Sequence, residues 1–380
     1  MAPWRLVSRM VPQRDRRQRD DIVQPRSSSM SAVRTVLVCE AQVPFVYGGA
    51  ERHVRALVAE LRRQGYRAKK VSIPFKPYPK GELLTQVALW RLVDLSEANY
   101  EPVDLVIATK FPTYFVRHPN KVTWLFHQYR GIYELCGTAF SEFSHAEGDV
   151  RLRDRLITLD TEALAESKRL FSNARNPATR LAKYNGLVAE PLYHPPPLAG
   201  ALEPGPFGDY ALSVGRLELN KRVDLIIRAM ALTDPSVRLV IAGHGADRPR
   251  LDALVSTLDL RDRVTFTGDV SDRELVDLYA NALAVVYPPF DEDYGYVTLE
   301  AFLARKPIVT TTDAGGPLEF VEEGVNGLVA DPVPAALAAA IARLANDRPF
   351  ARRLGEAGFE RAARVTWTGV VERLVGNQLR

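Results

Sequence analysis

The feature that most constrains the fold of this chain is an alternation of short apolar runs with amphipathic stretches, which occurs twice along the sequence. Each apolar run has the length of a buried strand, and each amphipathic stretch has helical periodicity. Short strands separated by helices predict parallel sheets with helices on both faces. The sequence therefore predicts an α/β protein with two such sheets.

Turn and cap signals divide the two halves into elements. The expected strands are residues 35–39, 70–73, 104–108, 122–126, 210–214, 238–242, 264–267, 283–287 and 308–312. The expected helices are residues 51–63, 83–99, 155–171, 178–184, 223–232, 250–258, 272–281, 298–304, 318–322, 335–345 and 367–375. Residues 194–208 contain five prolines and no periodicity, which is typical of an interdomain linker.

A length of 380 residues favours two domains. We predict a disordered basic tail at residues 1–29, an N-terminal Rossmann-like domain over 30–200 and a C-terminal Rossmann-like domain over 201–365. Residues 366–380 are predicted as a C-terminal helix. Met30 directly precedes the first expected strand and is an alternative start, which leaves open whether the tail is translated or functional.

The net charge of +4 lies entirely in the tail, because residues 1–29 hold seven Arg and three Asp while the rest of the chain is balanced. We therefore expect no basic surface on the folded part and no nucleic-acid partner. A weak peripheral contact of the tail with anionic lipid stays open as an alternative.

The two cysteines, Cys39 and Cys136, lack metal-ligand spacing and are expected to be thiols in a reducing compartment. No apolar run reaches the roughly 18 residues of a membrane-spanning helix. The basic N-terminus also lacks the apolar core of a secretory signal. We therefore expect a cytoplasmic protein, peripheral at the inner face of the membrane if the tail binds lipid.

The most informative stretch for function follows the strand expected at 283–287. Two prolines end this strand, an acidic loop and Gly295 follow, and a helix begins two or three residues later. Ligands of open α/β sheets bind at the carboxyl ends of strands, and a helix N-terminus offers N–H groups to a phosphate. Glu292 precedes this helix and Glu300 lies inside it.

This Glu-x7-Glu stretch resembles the motif of retaining GT-B glycosyltransferases of family four, the glycosyl transferases group 1. The resemblance extends over residues from about 32 to 375 and implies GT-B architecture, with two Rossmann-like parallel-sheet domains facing a central cleft. It also implies that the final helix packs on the first domain. In the motif, Glu300 is implied to bind ribose hydroxyls and Glu292 to contact the donor sugar. The further implied donor contacts are Gly295, Tyr296, Val297 and Thr298.

The sequence departs from the common form of the motif at Asp293 and Tyr296, where glycine and a small apolar residue are usual. This departure leaves the identity of the sugar open.

Two loops of the first half have counterparts in the same family. Gly48 and Gly49 follow the first strand, and the resemblance places them beside the donor sugar and diphosphate, although a plain turn would also use them. His127 directly follows the strand expected at 122–126, where a lone histidine is often structural; the resemblance implies instead that it contacts the donor sugar as a catalytic residue. The passage over 172–180 is also similar to the family, with a structural helix cap as an equal alternative.

Two loops of the second half carry the remaining donor residues. Arg216 and Lys221 follow the strand that ends before Gly215, and two cations at a strand end suit a diphosphate that no metal neutralises. The alternative is a solvated basic turn. The resemblance makes Arg216 and Lys221 the diphosphate-binding pair, and places the loop of Gly243 and Gly245 near the nucleotide.

Asp291 and Asp293 also spell Asp-x-Asp, which binds a divalent metal in GT-A transferases. The neighbouring Gly295 and Glu300 fit the other motif, whose GT-B family usually needs no metal. We therefore expect neither a metal site nor a cofactor.

The resulting expectation is a retaining glycosyltransferase of the hexosyltransferase type. It would move a sugar from a nucleotide diphosphate sugar to an unidentified glycan, lipid-linked or small-molecule acceptor. Two alternatives remain. One is a non-catalytic protein that binds nucleotide sugars, which the set Glu292, Glu300, Arg216 and Lys221 argues against. The other is a different GT-B enzyme, such as a nucleotide-sugar epimerase or hydrolase.

Overall fold

The computed structural model describes residues 33–45 and 48–376. The predictions of a disordered tail at 1–29 and of a start at Met30 lie outside these residues. Within them, the chain folds into two six-stranded sheets and one short hairpin.

The described residues of the first half supply eight strands and four helices. Its strands are β1 Thr35–Gln42, β2 Arg67–Pro74, β3 Glu97–Ala98, β4 Glu101–Pro102, β5 Leu105–Ala108, β6 Lys121–Leu125, β7 Arg169–Ser172 and β8 Glu190–Pro191. Its helices are α1 Gly49–Arg63, α2 Glu82–Leu92, α3 Glu147–Ala165 and α4 Arg175–Asn185, with single 3₁₀ turns at Thr113–Phe115 and Arg130–Ile132.

The second half repeats the alternation with six strands and seven helices. Its strands are β9 Tyr210–Val214, β10 Arg238–Ala242, β11 Val264–Gly268, β12 Ala284–Val286, β13 Ile308–Thr311 and β14 Gly327–Ala330. Its helices are α5 Val223–Met230, α6 Arg248–Thr257, α7 Asp272–Asn281, α8 Tyr296–Leu303, α9 Pro334–Asn346, α10 Arg348–Ala362 and α11 Val370–Val375. Two 3₁₀ turns lie at Leu219–Lys221 and Gly316–Glu319.

Both sheets are parallel and doubly wound. The first sheet has the order β2-β1-β5-β6-β7-β8 and the second has the order β11-β10-β9-β12-β13-β14. The strand order reverses between β1 and β5 in the first sheet, and between β9 and β12 in the second. These reversals are the points where doubly wound sheets bind ligands, beyond the carboxyl ends of the strands. The predicted α/β class with two Rossmann-like parallel sheets is confirmed.

Each sheet buries an apolar layer on both faces. In the first sheet, Val38 and Trp124 are fully buried in a core that also contains Leu57 of α1. The C-terminal helix α11 adds Val371 and Leu374 to this same core. The last helix of the chain therefore packs on the first sheet, although it follows the elements of the second.

Several predicted boundaries are wrong. The helix expected over 155–171 ends at Ala165, and its last residues form β7, because Arg169–Ser172 pairs with β6 in the sheet. Local periodicity cannot show that pairing. The helix expected over 83–99 ends at Leu92, and a hairpin follows whose turn holds Asn99 and Tyr100 at positive φ. The helix expected over 318–322 is only a 3₁₀ turn.

The strands β8 and β14 and the helix α10 were not predicted. Gly355 and Gly358 make α10 look broken in sequence, but they let it approach α8 closely. A Cβ atom at Gly355 would lie 2.1 Å from the carbonyl oxygen of Arg305, and one at Gly358 would lie 2.3 Å from the ring of Phe302. The two short strands carry too few residues for a periodic signal.

Candidate active site

A cavity of about 350 Å³ lies at the carboxyl ends of both sheets. Loops that follow β1 and β6 line it from the first sheet, and loops that follow β9, β10 and β12 line it from the second. It therefore includes residues from the loops at the switch points of both sheets. Twelve of the fourteen predicted site residues line it, namely Gly48, Gly49, His127, Gly215, Arg216, Lys221, Gly243, Glu292, Gly295, Tyr296, Val297 and Glu300.

The glycine loop after β1 is fixed by a carboxylate that the sequence analysis did not single out. The N–H of Gly48 donates to Glu51 Oε2 at 2.8 Å, and Lys110 Nζ donates to Glu51 Oε1 at 3.0 Å. Burial would raise the pKa of Glu51, but Lys110 and the Gly48 N–H together hold it below its ordinary value. Glu51 is therefore a charged anchor at the N-terminus of α1, where a carboxylate is favoured.

Lys221 and Glu292 face each other in the wall of the cavity. The ammonium of Lys221 donates to Glu292 Oε2 and also lies 3.4 Å from the hydroxyl of Tyr287. Burial would raise the pKa of Glu292, but the charge and hydrogen bond of Lys221, together with the charge of Arg130, hold it below its ordinary value. Arg216 is more exposed and pairs with Glu218 at 2.7 Å. The cavity wall thus contains a partly buried ion pair and, at Arg216, a more accessible guanidinium.

Glu300 occupies a different environment. It is almost fully buried, and its Oε2 accepts a hydrogen bond of 2.7 Å from the buried hydroxyl of Tyr279. Burial raises the pKa of Glu300 above its ordinary value, and the hydrogen bond from Tyr279 opposes this shift only in part. The two glutamates of the motif therefore have pKa values shifted in opposite directions.

The helix α8 begins at Tyr296, directly after Gly295. Gly295 has a φ of +76°, a left-handed conformation that favours glycine, and it turns the acidic loop into the helix. The N-terminal turn of α8 thus opens beside Glu292.

Two predicted donor residues do not line the cavity. Thr298 is fully buried, and its N–H donates to the carbonyl oxygen of Gly295 at 3.0 Å, so it is not available to a phosphate. Gly245 packs against the backbone of the preceding loop, where a Cβ atom would lie 2.3 Å from the carbonyl oxygen of Leu217. These residues shape the two loops rather than face the cavity.

His127 reaches the cavity from the end of β6. Its Nδ1 lies 2.7 Å from the carbonyl oxygen of Gln128, which can only accept, so Nδ1 carries the proton. Burial lowers the pKa of His127, and the opposing charge of Asp293 only partly offsets this. A neutral ring with its proton on Nδ1 has Nε2 as a hydrogen-bond acceptor.

The cavity is also lined by residues outside the predicted set, among them Arg52, His53 and Asn173. Arg52 and His53 come from α1, and Asn173 follows β7. Arg52 pairs with Asp272 of α7 at 3.5 Å. Asn173 Oδ1 and His53 Nε2 are buried without a hydrogen-bond partner among the described residues. Gly-Gly-x-x-x-His spacing after a strand was the available signal for His53, and Asn173 lies in the passage over 172–180 that resembles the family.

The acidic loop is held from the first half of the chain. Asn176 Nδ2 donates to Asp291 Oδ1 at 2.7 Å and to the carbonyl oxygen of Glu292 at 2.8 Å. Arg180 pairs with Asp293, and Arg130 donates to the carbonyl oxygen of Asp291 at 2.7 Å. Both carboxylates of the Asp-x-Asp sequence therefore face protein donors.

Among residues 33–45 and 48–376, no three His, Cys, Asp or Glu side chains converge into a group able to hold a metal ion. In the same part of the chain, no helix has both the length and the apolar character needed to cross a membrane.

Residues 208–361 match the family described as glycosyl transferases group 1. An uncharacterized glycosyltransferase of Methanocaldococcus jannaschii is 38% identical over 142 residues, which is 37% of this chain and 36% of that protein. The chain thus aligns with only about a third of the length of this relative.

Two solved structures share the fold over most of both chains. Sucrose-phosphate synthase from Thermosynechococcus elongatus superposes with a TM-score of 0.72 at 21% identity, covering 90% of this chain and 97% of that one. The Anabaena protein HepE, in complex with UDP and glucose, superposes with a TM-score of 0.64 at 17% identity, covering 90% and 98%.

The two facing Rossmann-like sheets and their shared cavity define a protein of the GT-B fold. The match over residues 208–361 takes in the whole second sheet and the Glu-x7-Glu motif, so this second half of the chain is similar to the glycosyl transferases group 1.

Proposed function

We propose that the protein transfers a sugar, of the hexose type, from a nucleoside diphosphate sugar to an acceptor hydroxyl with retention of anomeric configuration. One observation carries this proposal. A single cavity brings the cations Arg216 and Lys221, the start of α8 and the carboxylates Glu292 and Glu300 together. The two cations provide positive charge for a diphosphate. The two carboxylates provide hydrogen-bond acceptors, one for the ribose hydroxyls and one for the hydroxyls of the sugar.

In the proposed complex, the nucleoside lies toward Glu300 and the diphosphate toward Arg216 and Lys221. Glu300 accepts hydrogen bonds from the ribose hydroxyls, since its Oε2 is already oriented by Tyr279. The N–H groups at the start of α8 bind the same anion as the two cations. Glycine at 243 lets the loops after β9 and β10 approach each other closely, because its φ is +130° and a Cβ atom there would lie 2.0 Å from the carbonyl oxygen of Gly215.

The donor sugar is proposed to lie between Glu292, His127 and the loop of Gly48 and Gly49. The bond between the anomeric carbon and the phosphate oxygen breaks on the same face on which the acceptor oxygen bonds. The acceptor's proton passes to the leaving phosphate. Positive charge that develops on the sugar ring is stabilised by the carboxylate of Glu292, and negative charge on the phosphate by the two cations.

No metal ion is needed in this proposal. Arg216 and Lys221 supply positive charge at the diphosphate, and both carboxylates of the Asp-x-Asp sequence already contact Arg130, Asn176 or Arg180. The Anabaena protein HepE, which has the same fold, was solved with UDP and glucose, which supports a nucleotide sugar as the donor class.

The test combines donor binding with product analysis. A thermal-shift screen of UDP-, GDP- and ADP-sugars identifies the donor, since a bound ligand raises the melting temperature by mass action. The selected donor is then incubated with alkyl glycosides, sugar phosphates and lipid-linked sugars, and products are identified by mass spectrometry. An NMR coupling constant of the new anomeric proton reports retention.

Other outcomes separate the alternatives. Donor binding without any turnover would favour a binding protein over an enzyme. Free sugar or an epimerised donor, without any glycoside, would indicate a hydrolase or epimerase. A glycoside with inverted configuration would leave the transfer standing and overturn the retaining mechanism.

A further inference from the structure

One face of α4 contacts the acidic loop of the second sheet. Asn176 and Arg180 lie four residues apart and therefore on the same side of the helix. Asn176 binds Asp291 and the backbone of Glu292, and Arg180 binds Asp293. These contacts join an element next to β7 in the first sheet to the loop that follows β12 in the second.

Arg130 reinforces the same contact from the loop after β6. Its guanidinium donates to the carbonyl oxygen of Asp291 and lies 3.8 Å from Asp293 Oδ2. Glu134 contacts both Arg130 and Arg180, at 2.7 Å from the latter. Two guanidinium groups of the first sheet domain are therefore bridged by one carboxylate and directed at the same loop.

Burial makes these charges dependent on one another. The side chain of Arg180 is only 8% exposed and that of Asp293 only 15%. Burial would raise the pKa of Asp293, but Arg130 and Arg180 hold it well below its ordinary value. A buried charge is stable only while its partner stays in place, so the pair favours one relative position of α4 and the acidic loop.

Glu292 stands between the two aspartates that these donors hold. Its own N–H donates to the carbonyl oxygen of Ala314 at 2.8 Å, and its carbonyl oxygen accepts from Asn176. Its side chain faces Lys221 in the cavity. Side chains of the first sheet domain therefore hold the residue before Glu292 and the residue after it. The direction of the Glu292 carboxylate depends on these contacts.

We propose that Arg180 and Asp293 form a positioning pair, which aligns Glu292 with the donor sugar when the two sheet domains are closed on each other. The proposal rests on the proposed sugar transfer for its catalytic consequence. The proposed pair gives the passage over 172–180, which contains Arg180, a role in positioning Glu292. It also assigns a partner to Asp293, which stands where glycine is usual in the motif.

The test compares Arg180→Gln, Asp293→Asn and the double variant with the unchanged protein. Arg305→Gln is the matched control, because Arg305 pairs with Glu356 away from the cavity. If a single variant does not fold, Arg180→Lys and the double variant replace it in the comparison. The double variant removes both charges, so neither charge is left buried without its partner. The readouts are kcat, affinity for the nucleoside diphosphate by calorimetry, and the radius of gyration from small-angle X-ray scattering.

We expect each single variant to lower kcat by roughly 10- to 100-fold, the scale of a misplacement of about 1 Å at a reacting centre. Affinity for the nucleoside diphosphate should change by less than about twofold. The kcat of the double variant should not fall below that of the slower single variant, because either single change already breaks the same ion pair. Arg180→Lys, which keeps the charge, should restore part of kcat, and Arg305→Gln should behave as the unchanged protein.

Unchanged kcat in both single variants, or effects that multiply in the double variant, would overturn the pairing. The radius of gyration tests the closure independently of catalysis, and we expect it to increase in the double variant. An unchanged radius would overturn the closure. If the unchanged protein transfers no sugar from any donor, the proposed function fails, and this scattering comparison still decides whether the pair holds the two sheets together.

Discussion

The ammonium of Lys221 and the carboxylate of Glu292 form an ion pair in the wall of the cavity, although our proposal assigns one to the diphosphate and the other to the sugar. Both side chains are about 15% exposed, so each charge needs a partner. A bound diphosphate would share the ammonium with Glu292. Donor binding and the charge state of Glu292 are therefore linked through one cation.

Replacing Lys221 or Arg216 by alanine should weaken binding of the nucleoside diphosphate and of the donor alike. A charge-assisted hydrogen bond contributes roughly 1.5–3 kcal/mol, which is about a 10- to 150-fold change in affinity. Lys221→Ala should have the larger effect, because the side chain of Lys221 is only 14% exposed and that of Arg216 is about half exposed. Calorimetric titration with the nucleoside diphosphate measures both, with Arg305→Ala as the control. Affinities equal to that of the unchanged protein in both variants would refute the assignment.

The pH dependence of activity should reveal the link between Lys221 and Glu292. Burial would raise the pKa of Glu292, but Lys221 and Arg130 together hold it below its ordinary value, so the carboxylate stays ionised as the pH falls. In Lys221→Met, burial is opposed mainly by Arg130, and the pKa of Glu292 should rise. The acid limb of kcat/KM should therefore move to higher pH in this variant. A variant profile with the same acid limb as the unchanged protein would contradict this prediction.

The two glutamates should be separable by binding and rate. Glu300→Gln should lower affinity for the nucleotide, because Glu300 accepts from ribose. Glu292→Gln should keep nearly normal affinity for the nucleoside diphosphate and lower kcat by roughly 10²-fold or more, since its carboxylate stabilises charge that develops only in the transition state. Diphosphate titrations and initial rates on one acceptor distinguish them. The reverse pattern would mean that the loop has been assigned in the wrong direction.

The fold was predictable because strand and helix periods alternate over most of the chain. The sequence alone also indicated the strand-end loops, since prolines and glycines mark where β9, β10 and β12 end. Elements defined by pairing were not predictable. The residues of β7 continue the pattern of the helix before it, so the sequence predicted one long helix. They form a strand because they pair with β6 in the sheet.

The candidate site was predictable where a local motif carries it, as with Glu292, Glu300, Arg216 and Lys221. The contacts that hold the acidic loop were not, because Asn176 and Arg180 are more than 110 residues away from Asp291 and Asp293 in the chain. Thr298 does not line the cavity, because its N–H already bonds Gly295, which its place in the motif does not show.

Transfer should not depend on a divalent metal. The diphosphate charge is met by Arg216, Lys221 and the start of α8, so EDTA should leave the initial rate within about twofold of its value without EDTA. Added manganese should not raise it further. Complete loss of activity in EDTA, restored by manganese, would instead assign Asp291 and Asp293 to a metal, with Arg130 and Arg180 displaced from them.

A buried carboxyl in the first sheet domain should make stability depend on pH. Asp160 of α3 is fully buried, and its Oδ2 accepts from the hydroxyl of Tyr133 at 2.7 Å. Burial raises the pKa of Asp160 from an ordinary 3.8 to about 7. Between these values the folded protein keeps a proton that the unfolded chain releases. The free energy of unfolding therefore falls as the pH rises from about 4 to about 7, and this loss is complete above that range.

Asp160→Asn removes the titration, so its stability relative to the unchanged protein should increase with pH. One pKa unit corresponds to about 1.4 kcal/mol, so the difference should grow by up to about 3 kcal/mol between pH 5 and pH 8. Urea unfolding of both proteins at the two pH values measures it. Asp154→Asn, at an exposed position of the same helix, is the control and should show no such growth. If the difference in free energy of unfolding between Asp160→Asn and the unchanged protein stays constant with pH, the prediction is wrong. Asp160 would then have the same pKa in the folded and unfolded states.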